Sequence, residues 1–322
     1  ICLMLFMTIS VLSSSLSIKS SLDSQLNKFT PVDVNLYKTA YLPESYVSSY
    51  SGKTIYNTEE QIEDSKHPVS YTLETNGYDM NNLKDIVEIP IYTIPEWTFE
   101  YSLGDYFETA KSQYANLSYD LPETIIKISD YNKIAKLYGE EEYSLNDDEF
   151  MVLCDFEQLL NMRNEALKQD SDIEINGKTY HAKYNECQYG FIMMSVSEMN
   201  GGIIVVPDSF EFKDENIEQY FLAANYNAET EEEKVELEKV LAGEVDSELF
   251  DNLSEKGIDL EGMTRISLIE SSKGLSTIII FISIYLGIIF LIASSAILAL
   301  KQLTESSDNK QRYTILRKIG CD

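Results

Sequence analysis

The sequence contains two Gly-Lys-Thr tripeptides, at residues 52–54 and 177–179, which match the end of a nucleotide-binding motif. A phosphate-binding loop follows the pattern G-x-x-x-x-G-K-[ST], whose glycines let backbone amides surround the phosphates. Val47 occupies the place of the first glycine before one tripeptide, and Asp172 occupies it before the other. Neither segment is therefore a nucleotide site, and any ATP hydrolysis would need a separate chain.

The sequence also contains no motif typical of a metal site or of a hydrolytic enzyme. The two histidines, His67 and His181, are far apart in the sequence, and we interpret His181 as a surface residue of a strand. The acidic runs 140–142 and 147–149 lack the D-x-D-x-D-G spacing of a calcium loop and are typical of solvated loops. We therefore predict no catalytic residue, no metal site and no cofactor, and we interpret the protein as a non-enzyme.

The four cysteines leave one open question. Cys2 lies in an apolar run at the start of the chain, and Cys321 lies next to its end. Cys154 and Cys187 share the central region, where a disulfide is possible in an oxidising compartment. Free thiols are the alternative, and the spacing does not choose between them.

Residues 274–300 are a run of 27 residues without one charged side chain, rich in Ile, Leu, Phe, Ala, Ser and Gly. As a helix this run would be about 40 Å long, against about 30 Å of bilayer hydrocarbon. It predicts a transmembrane helix. The small residues Gly287, Ala293, Ser294 and Ala296 predict close packing against other membrane helices, since small side chains let two helices approach.

Residues 1–18 form a second uncharged run. A signal peptide would need an initiator Met and a basic first segment, and both are absent here. The chain opens at Ile1 in the middle of the run, so we interpret residues 1–18 as the end of a transmembrane helix whose start has been cut away.

Charge predicts the orientation of these segments. Residues 19–273 carry a net charge of −31 and residues 301–322 a net charge of +2. Positive charge after a span marks the cytoplasmic side, so we place 19–273 outside a cell membrane and 301–322 inside it. The acidic domain excludes nucleic acid as a partner and favours cationic ligands. The basic residues that follow the span are Lys301, Lys310, Arg312, Arg317 and Lys318.

Strand and helix patterns alternate irregularly in residues 19–273, which predicts an α+β domain. We expect a strand over 86–94 broken by Pro90, and a helix over 131–138 capped by Ser129 or Asp130 and ended by Gly139. Asn176-Gly177 predicts a tight hairpin. Residues 40–82 are expected to form short strands and loops, and the second membrane helix is expected to extend outward as a stalk to residue 265.

The segment 301–322, KQLTESSDNKQRYTILRKIGCD, resembles the cytoplasmic segment of FtsX-like permeases of ABC transporters, and most of all the bacitracin-exporter (Bce) type. In that family an L-R-x-x-G pattern follows the helix after the extracytoplasmic domain, and Leu316, Arg317 and Gly320 occupy those places. Residues 128–139 (ISDYNKIAKLYG) with 175–178 are similar to the strand–helix–hairpin core of the extracytoplasmic domain, and residues 30–33 and 206–208 fit the same pattern.

The resemblance implies a multi-pass membrane permease with a MacB-like periplasmic core between two transmembrane helices. It also implies a cytoplasmic ATP-binding subunit, an ATPase dimer, whose movement reaches the outer domain by mechanotransmission. Substrates of the Bce type are antimicrobial peptides, so a cationic peptide or a cell-wall precursor is the expected ligand and a sensor kinase a further expected partner. The ligand-binding residues are not predicted.

The end of the chain is the predicted ATPase-coupling segment. Its apolar residues recur at three-residue spacing beside basic ones, which predicts a short amphipathic helix with a basic rim. An anchor on membrane lipid headgroups is the alternative interpretation of the same pattern. The predicted coupling residues are Arg312, Tyr313, Leu316, Arg317, Ile319 and Gly320.

Other functions of similar chains remain open at this point. Relatives of the same family release lipoproteins or control cell division, and both activities use the same membrane architecture. A two-span receptor or sensor would instead continue into a signalling helix with heptads after residue 300. The L-R-x-x-G segment and its Gly320 favour the permease.

Overall fold

The computed structural model describes residues 2–48, 51–169, 172–242 and 248–320, so Ile1, Cys321 and Asp322 lie outside the described residues. The described residues form ten helices: α1 (Cys2–Phe29), α2 (Glu59–Ser65), α3 (Val69–Thr75), α4 (Phe99–Leu103), α5 (Phe107–Gln113), α6 (Ile128–Tyr138), α7 (Glu157–Leu167), α8 (Glu231–Ala242), α9 (Glu248–Lys256) and α10 (Arg265–Lys318). They also form eleven strands: β1 (Val34–Thr39), β2 (Ser45–Val47), β3 (Thr54–Tyr56), β4 (Leu83–Tyr92), β5 (Ile125–Lys127), β6 (Glu149–Leu153), β7 (Ile173–Ile175), β8 (Lys178–Ala182), β9 (Ile203–Val206), β10 (Ile217–Tyr226) and β11 (Glu261–Thr264).

The chain divides into two compact units. One unit is helical and consists of the segment up to Asn27 together with the segment from Ile269 onward. The other, from Lys28 to Leu268, contains the strands and is called here the sheet unit.

Nine strands form one sheet in the order β11-β1-β10-β4-β5-β9-β6-β8-β7. Neighbouring strands are antiparallel except for the pairs β5–β9 and β6–β8, which are parallel. β2 and β3 pair separately with each other. The sheet unit is therefore a mixed α/β structure, as the interleaved strand and helix patterns predicted.

Both faces of the sheet are covered by helices, because successive side chains of a strand point to opposite faces. In β10, Phe221 and Ala223 pack in the apolar cluster that includes α6. Leu222 and Ala224 point the other way, into the cluster that includes α3, α8 and α9. A central strand with apolar residues on both faces is expected where helices lie on each side.

The expectation that Pro90 breaks its strand is wrong. β4 runs from Leu83 to Tyr92, and Pro90 lies opposite Tyr220 of β10. On the other edge of β4, the described pairing with β5 is limited to Tyr92 and Ile125. Proline has no N–H to donate, and it is tolerated where one edge of the strand needs no ladder hydrogen bond.

The start of α6 differs from the prediction, and its end agrees with it. The expected caps, Ser129 and Asp130, lie inside the first turn, because the helix begins at Ile128 directly after β5. The carboxylate of Asp208 accepts a hydrogen bond of 3.2 Å from the main-chain N–H of Ser129, so a residue distant in sequence satisfies this donor. Gly139 ends the helix in the left-handed region, at a φ of 74°.

Two short features of the sheet unit depend on local sequence. The hairpin at Asn176-Gly177 is confirmed, with φ values of 54° and 73° that match the turn expected there.

Residues 40–82 hold the expected short strands β2 and β3, but also the helices α2 and α3, which the sequence analysis missed. At the start of α2, Thr58 and Gln61 cap each other through hydrogen bonds of 3.1 and 2.7 Å.

α10 is one helix from Arg265 to Lys318. Among the described residues it is the one helix long and apolar enough to cross a membrane. α1 contains most of the predicted first span and is 28 residues long, but it does not meet the same criterion. A membrane crossing by residues 1–18 therefore stays a prediction.

Candidate functional site

The first residue of α10 is hydrogen-bonded to the residue that precedes β1. β11 pairs with β1, with Thr264 opposite Val34. One residue further, the main-chain carbonyl of Asp33 accepts a hydrogen bond of 2.9 Å from the N–H of Arg265. The strand ladder thus continues into the first turn of the helix, where an N–H has no partner within the helix.

The side chain of Asp33 contacts two further elements of the sheet unit at the same point. Its Oδ2 accepts a hydrogen bond of 3.0 Å from the main-chain N–H of Tyr226, at the end of β10. Its Oδ1 pairs with Nζ of Lys234 in α8 at 2.9 Å. Only 5% of Asp33 is exposed, so both contacts are shielded from water.

Main-chain groups of the loop between β8 and β9 form hydrogen bonds with α1, β1 and α6. The main-chain N–H of Ser195 donates to the carbonyl of Phe29, the last residue of α1, at 3.1 Å. The N–H of Met194 donates to Oδ1 of Asn35 in β1 at 2.7 Å. The hydroxyl of Tyr138 donates to the carbonyl of Ile192 at 2.6 Å. The end of α1, β1 and this loop are therefore held together by hydrogen bonds.

The same loop forms one wall of a cavity of about 390 Å³ in the sheet unit. The cavity, called here the methionine pocket, is lined mainly by apolar side chains. Its lining residues are Asp155, Phe191, Ile192, Met193, Met194, Ser195, Val196, Met199, Asn200, Ile203, Met263 and Leu268.

Asp155 is the one carboxylate that lines the methionine pocket, and it is 7% exposed. Its Oδ1 accepts a hydrogen bond of 2.7 Å from the main-chain N–H of Asn200. Its Oδ2 is buried and has no hydrogen-bond partner in the described part of the chain. Burial raises the pKa of Asp155 to about 6, and Glu198 adds to this effect, whereas the hydrogen bond from Asn200 and the charge of Lys28 oppose it.

Cys154 and Cys187 are free thiols of the sheet unit, Cys154 buried and Cys187 half-buried, and they influence each other's titration. The hydrogen bond from Cys187 lowers the pKa of Cys154, and the nearby guanidinium of Arg163 also favours its thiolate. Arg163 forms two buried hydrogen bonds, of 2.8 and 2.9 Å, with the carboxylate of Glu123. The structure has Cys154 and Cys187 as free thiols, and a disulfide between them stays an open alternative.

The predicted helix-packing residues fall into two groups within the helical unit. Gly287 and Ser294 are buried, seven residues apart on one face of α10. A side-chain carbon added at Gly287 would lie 3.4 Å from Cδ2 of Leu12 in α1, so this glycine is where the two helices approach. Ala293 is half-buried and Ala296 is exposed.

Four of the predicted coupling residues lie in the last turns of α10, and Ile319 and Gly320 follow its end, so the segment is not a separate short helix. Residues 301–311 contain neither Pro nor Gly, so nothing in the sequence interrupts the helix before Lys318. The helix ends before Gly320, whose φ of 84° is left-handed. The six coupling residues are exposed in this chain; they are Arg312, Tyr313, Leu316, Arg317, Ile319 and Gly320.

Helical geometry places the two coupling arginines, Arg312 and Arg317, on different faces of the helix. Residues four and seven apart lie on one face of a helix. Arg312 therefore shares a face with Leu316 and Ile319, and Arg317 shares one with Tyr313. By this geometry we expect Arg317 at the rim and Arg312 on the apolar side, and the coupling role of both arginines stays a prediction.

A further polar pair of the sheet unit lies on its surface. His181 pairs with Asp172 through Nδ1 and Oδ1 at 2.7 Å, and both side chains are more than half exposed. That carboxylate raises the pKa of His181. Among the residues that the structure describes, no group of three or more His, Cys, Asp and Glu side chains is arranged to hold a metal ion.

The sequence analysis did not identify the candidate site of the sheet unit. It named no residue of the methionine pocket, although the segment 191–200 (FIMMSVSEMN) is rich in Met and lies outside any predicted helix or strand. It also assigned no role to Asp33 or Asp155. A methionine-rich stretch without a helical or strand period was the available signal, because Met suits adaptable binding surfaces.

No protein-family model matches the chain. Two curated proteins are similar to it. The bacitracin export permease protein BceB of Bacillus subtilis is 31% identical over 167 residues, which cover 48% of this chain and 24% of that protein. The protein of the same name from Halalkalibacterium halodurans is 43% identical over 56 residues, 17% of this chain and 9% of that protein. The chain thus spans about a quarter or less of the length of these relatives.

The chain is therefore similar to bacitracin export permeases over about half of its length, and its resemblance to the Bce type is confirmed.

Proposed function

We propose that this chain is the part of an ABC-transporter permease of the mechanotransmission type that carries the extracytoplasmic domain. In this proposal residues 274–300 cross the membrane, and residues 1–18 end a preceding transmembrane helix. The sheet unit lies outside the cell membrane as the centre of the domain at 19–273. Residues 301–322 lie in the cytoplasm, where they dock on a separate ATP-binding subunit.

The hydrogen bond between Asp33 and Arg265 is the observation that most supports force transmission. α10 begins in the strand ladder of β11 and β1, with no irregular linker between strand and helix. A displacement of α10 along its axis would therefore reach β1 directly, without being absorbed by a flexible segment. The MacB-like core and the stalks are parts of this proposal.

An antimicrobial peptide is the substrate that the proposal assigns to the transporter. The relatives are named for bacitracin export. The net charge of −31 over residues 19–273 would attract a cationic peptide or a peptide-bound cell-wall precursor, because surface charge steers association over about 8 Å at physiological ionic strength. A sensor kinase is a further partner of the proposed complex.

Resistance in a bacitracin-sensitive bacterium tests this function. The full-length permease is expressed with its ATP-binding subunit, and the growth-inhibiting concentration of bacitracin is measured. The matched control carries an ATP-binding subunit whose P-loop lysine is replaced by alanine. We expect several-fold protection that disappears in the control. Equal growth of the two strains would contradict the proposal.

A further inference from the structure

The methionine pocket combines an apolar wall with an unused hydrogen-bond acceptor. Its volume of about 390 Å³ lies in the range of about 300–1,000 Å³ typical of small-ligand sites. Four methionines line it: Met193, Met194, Met199 and Met263. Methionine side chains are flexible and polarisable, so such a wall can adapt to apolar groups of different shape.

The unused acceptor is Oδ2 of Asp155. The neighbouring oxygen, Oδ1, is already occupied by the N–H of Asn200. Burying a carboxylate oxygen without a partner is costly, and in native proteins a group of this kind calls for an explanation. A donor that enters the pocket would remove this cost, and a charged donor would remove most of it.

The charges around Asp155 favour a cation. Glu198 lies near enough to raise the pKa of Asp155, and Lys28 near enough to lower it. Lys28 forms no ion pair with Asp155 in the described part of the chain; its Nζ lies 4.1 Å from the ring centroid of Tyr189. Asp155 is the carboxylate that lines the pocket, and the described lining contains no Lys or Arg, so the ionised carboxylate is not neutralised there.

We propose that the methionine pocket binds one bulky apolar side chain of a cationic peptide, with an ammonium group of that peptide donating to Oδ2 of Asp155. The assignment rests on the proposed function and deepens it, because it names the place and the chemistry of peptide recognition. A peptide ligand fits better than an isolated amine, because several positive charges on one chain gain most from the field of an acidic domain.

The methionine pocket lies next to the start of α10 and to a loop that is hydrogen-bonded to the end of α1. Met263 belongs to β11, and Leu268 belongs to the first turns of α10. The loop wall at Ser195 is hydrogen-bonded to Phe29 at the end of α1. An apolar group in the pocket would therefore touch Leu268 of α10 directly and the end of α1 only through Ser195, which is hydrogen-bonded to Phe29.

Phenylalanine amide and N-acetylphenylalanine amide are the probes that test this inference. They share the apolar ring, but only the first carries an ammonium group at neutral pH. The full chain is placed in nanodiscs free of ethanolamine lipids, and binding is measured by isothermal titration, with empty nanodiscs as the blank. We expect the amine to bind about tenfold more tightly, since a charge-assisted hydrogen bond is worth at least that factor.

Three variants connect this preference to the pocket. Asp155→Asn keeps an oxygen for the N–H of Asn200 and should bind the two probes equally. The exposed control Asp105→Asn changes the net charge by the same amount and should keep the tenfold preference. Val196→Trp, at a partly exposed position of the pocket wall, should weaken binding of both probes.

The outcomes separate this inference from the proposed function, because titration needs no ATP-binding subunit. Equal binding of the two probes to the native chain, or an unchanged preference in Asp155→Asn, would overturn the peptide assignment. Displacement of phenylalanine amide by added phosphatidylethanolamine would assign the pocket to a lipid amine and also overturn it. Loss of resistance with normal probe binding would count against the transport function alone.

Discussion

The main-chain carbonyl of Asp33 accepts a hydrogen bond of 2.9 Å from the N–H of Arg265, the first residue of α10. The Asp33 carboxylate meanwhile holds the end of β10 and Lys234 of α8. Asp33 therefore connects the start of α10 with β1, β10 and α8. Replacing its side chain should destabilise the contacts with β10 and α8.

Asp33→Ala should lower the free energy of unfolding of the sheet unit by about 2–4 kcal/mol. The substitution leaves the buried N–H of Tyr226 without its acceptor and Lys234 without its carboxylate. Urea unfolding followed by Trp97 fluorescence measures the effect. Asp105→Ala, at an exposed position, is the control and should change stability by less than about 0.5 kcal/mol. Equal stability of the two variants would show that the junction is not a structural anchor.

The double variant Leu316→Ala with Ile319→Ala should release the ATP-binding subunit from the full-length permease. Both side chains are exposed, at 42% and 69%, so the change removes docking surface without disturbing the core. Apolar anchors of an interface cost about 2 kcal/mol or more on truncation, and rim charges cost less. Co-purification of the ATP-binding subunit and bacitracin resistance are the measurements.

Two single variants sharpen this test. Lys310→Ala removes a charge one turn before the coupling residues and should leave co-purification intact. Arg312→Ala should weaken it more than Arg317→Ala does, because Arg312 shares the face of Leu316 and Ile319. If the double variant still retains its ATP-binding subunit and protects normally, the tail only anchors the chain at the membrane surface.

The contribution of Asp155 to the stability of the sheet unit should fall as pH rises from about 4 to above 6. The pKa of Asp155 is raised by burial to about 6 in the folded chain, whereas an unfolded aspartate titrates near ~3.9. The folded state then binds the proton more tightly, so this stabilising contribution is complete below pH ~4 and lost as pH passes through 6. The shift corresponds to roughly 2–3 kcal/mol.

Asp155→Asn isolates this contribution from the other titrating groups. The variant should lack the step, so that the difference in unfolding free energy between it and the native chain grows in its favour from pH 4 to pH 7.5. Asp105→Asn should follow the native profile. Parallel profiles for the native chain and Asp155→Asn would mean that water satisfies Oδ2 and that burial does not destabilise the ionised carboxylate.

Cysteines placed at positions 12 and 287 should form a disulfide readily when the other cysteines are replaced by serine. A side-chain carbon at position 287 lies 3.4 Å from the end of Leu12, so the two helices approach here. Oxidation with copper phenanthroline, followed by a gel of the chain cleaved between the helices, measures cross-linking. The pair at positions 12 and 296 is the control, because Ala296 is exposed, and it should react far less.

Several parts of this protein follow from short stretches of sequence. The uncharged run 274–300 with its basic flank predicts a membrane helix, since length and composition alone meet the requirement. Asn176-Gly177 specifies its turn and Gly139 the end of α6, because few residues accept a positive φ. The mutual cap of Thr58 and Gln61 was equally readable, as a T-x-x-Q pattern before α2, and was overlooked.

The functional geometry depends on contacts between segments far apart in the chain. Asp33 meets Arg265 only because β11 returns to pair with β1 at the edge of the sheet. Asp155 is one of many acidic residues in the sequence, and it is set apart by apolar side chains from the 191–200 loop and by an oxygen left without a partner. Local patterns specify helices, strands and turns, whereas the order of strands and the burial of a carboxylate are decided when the whole core packs.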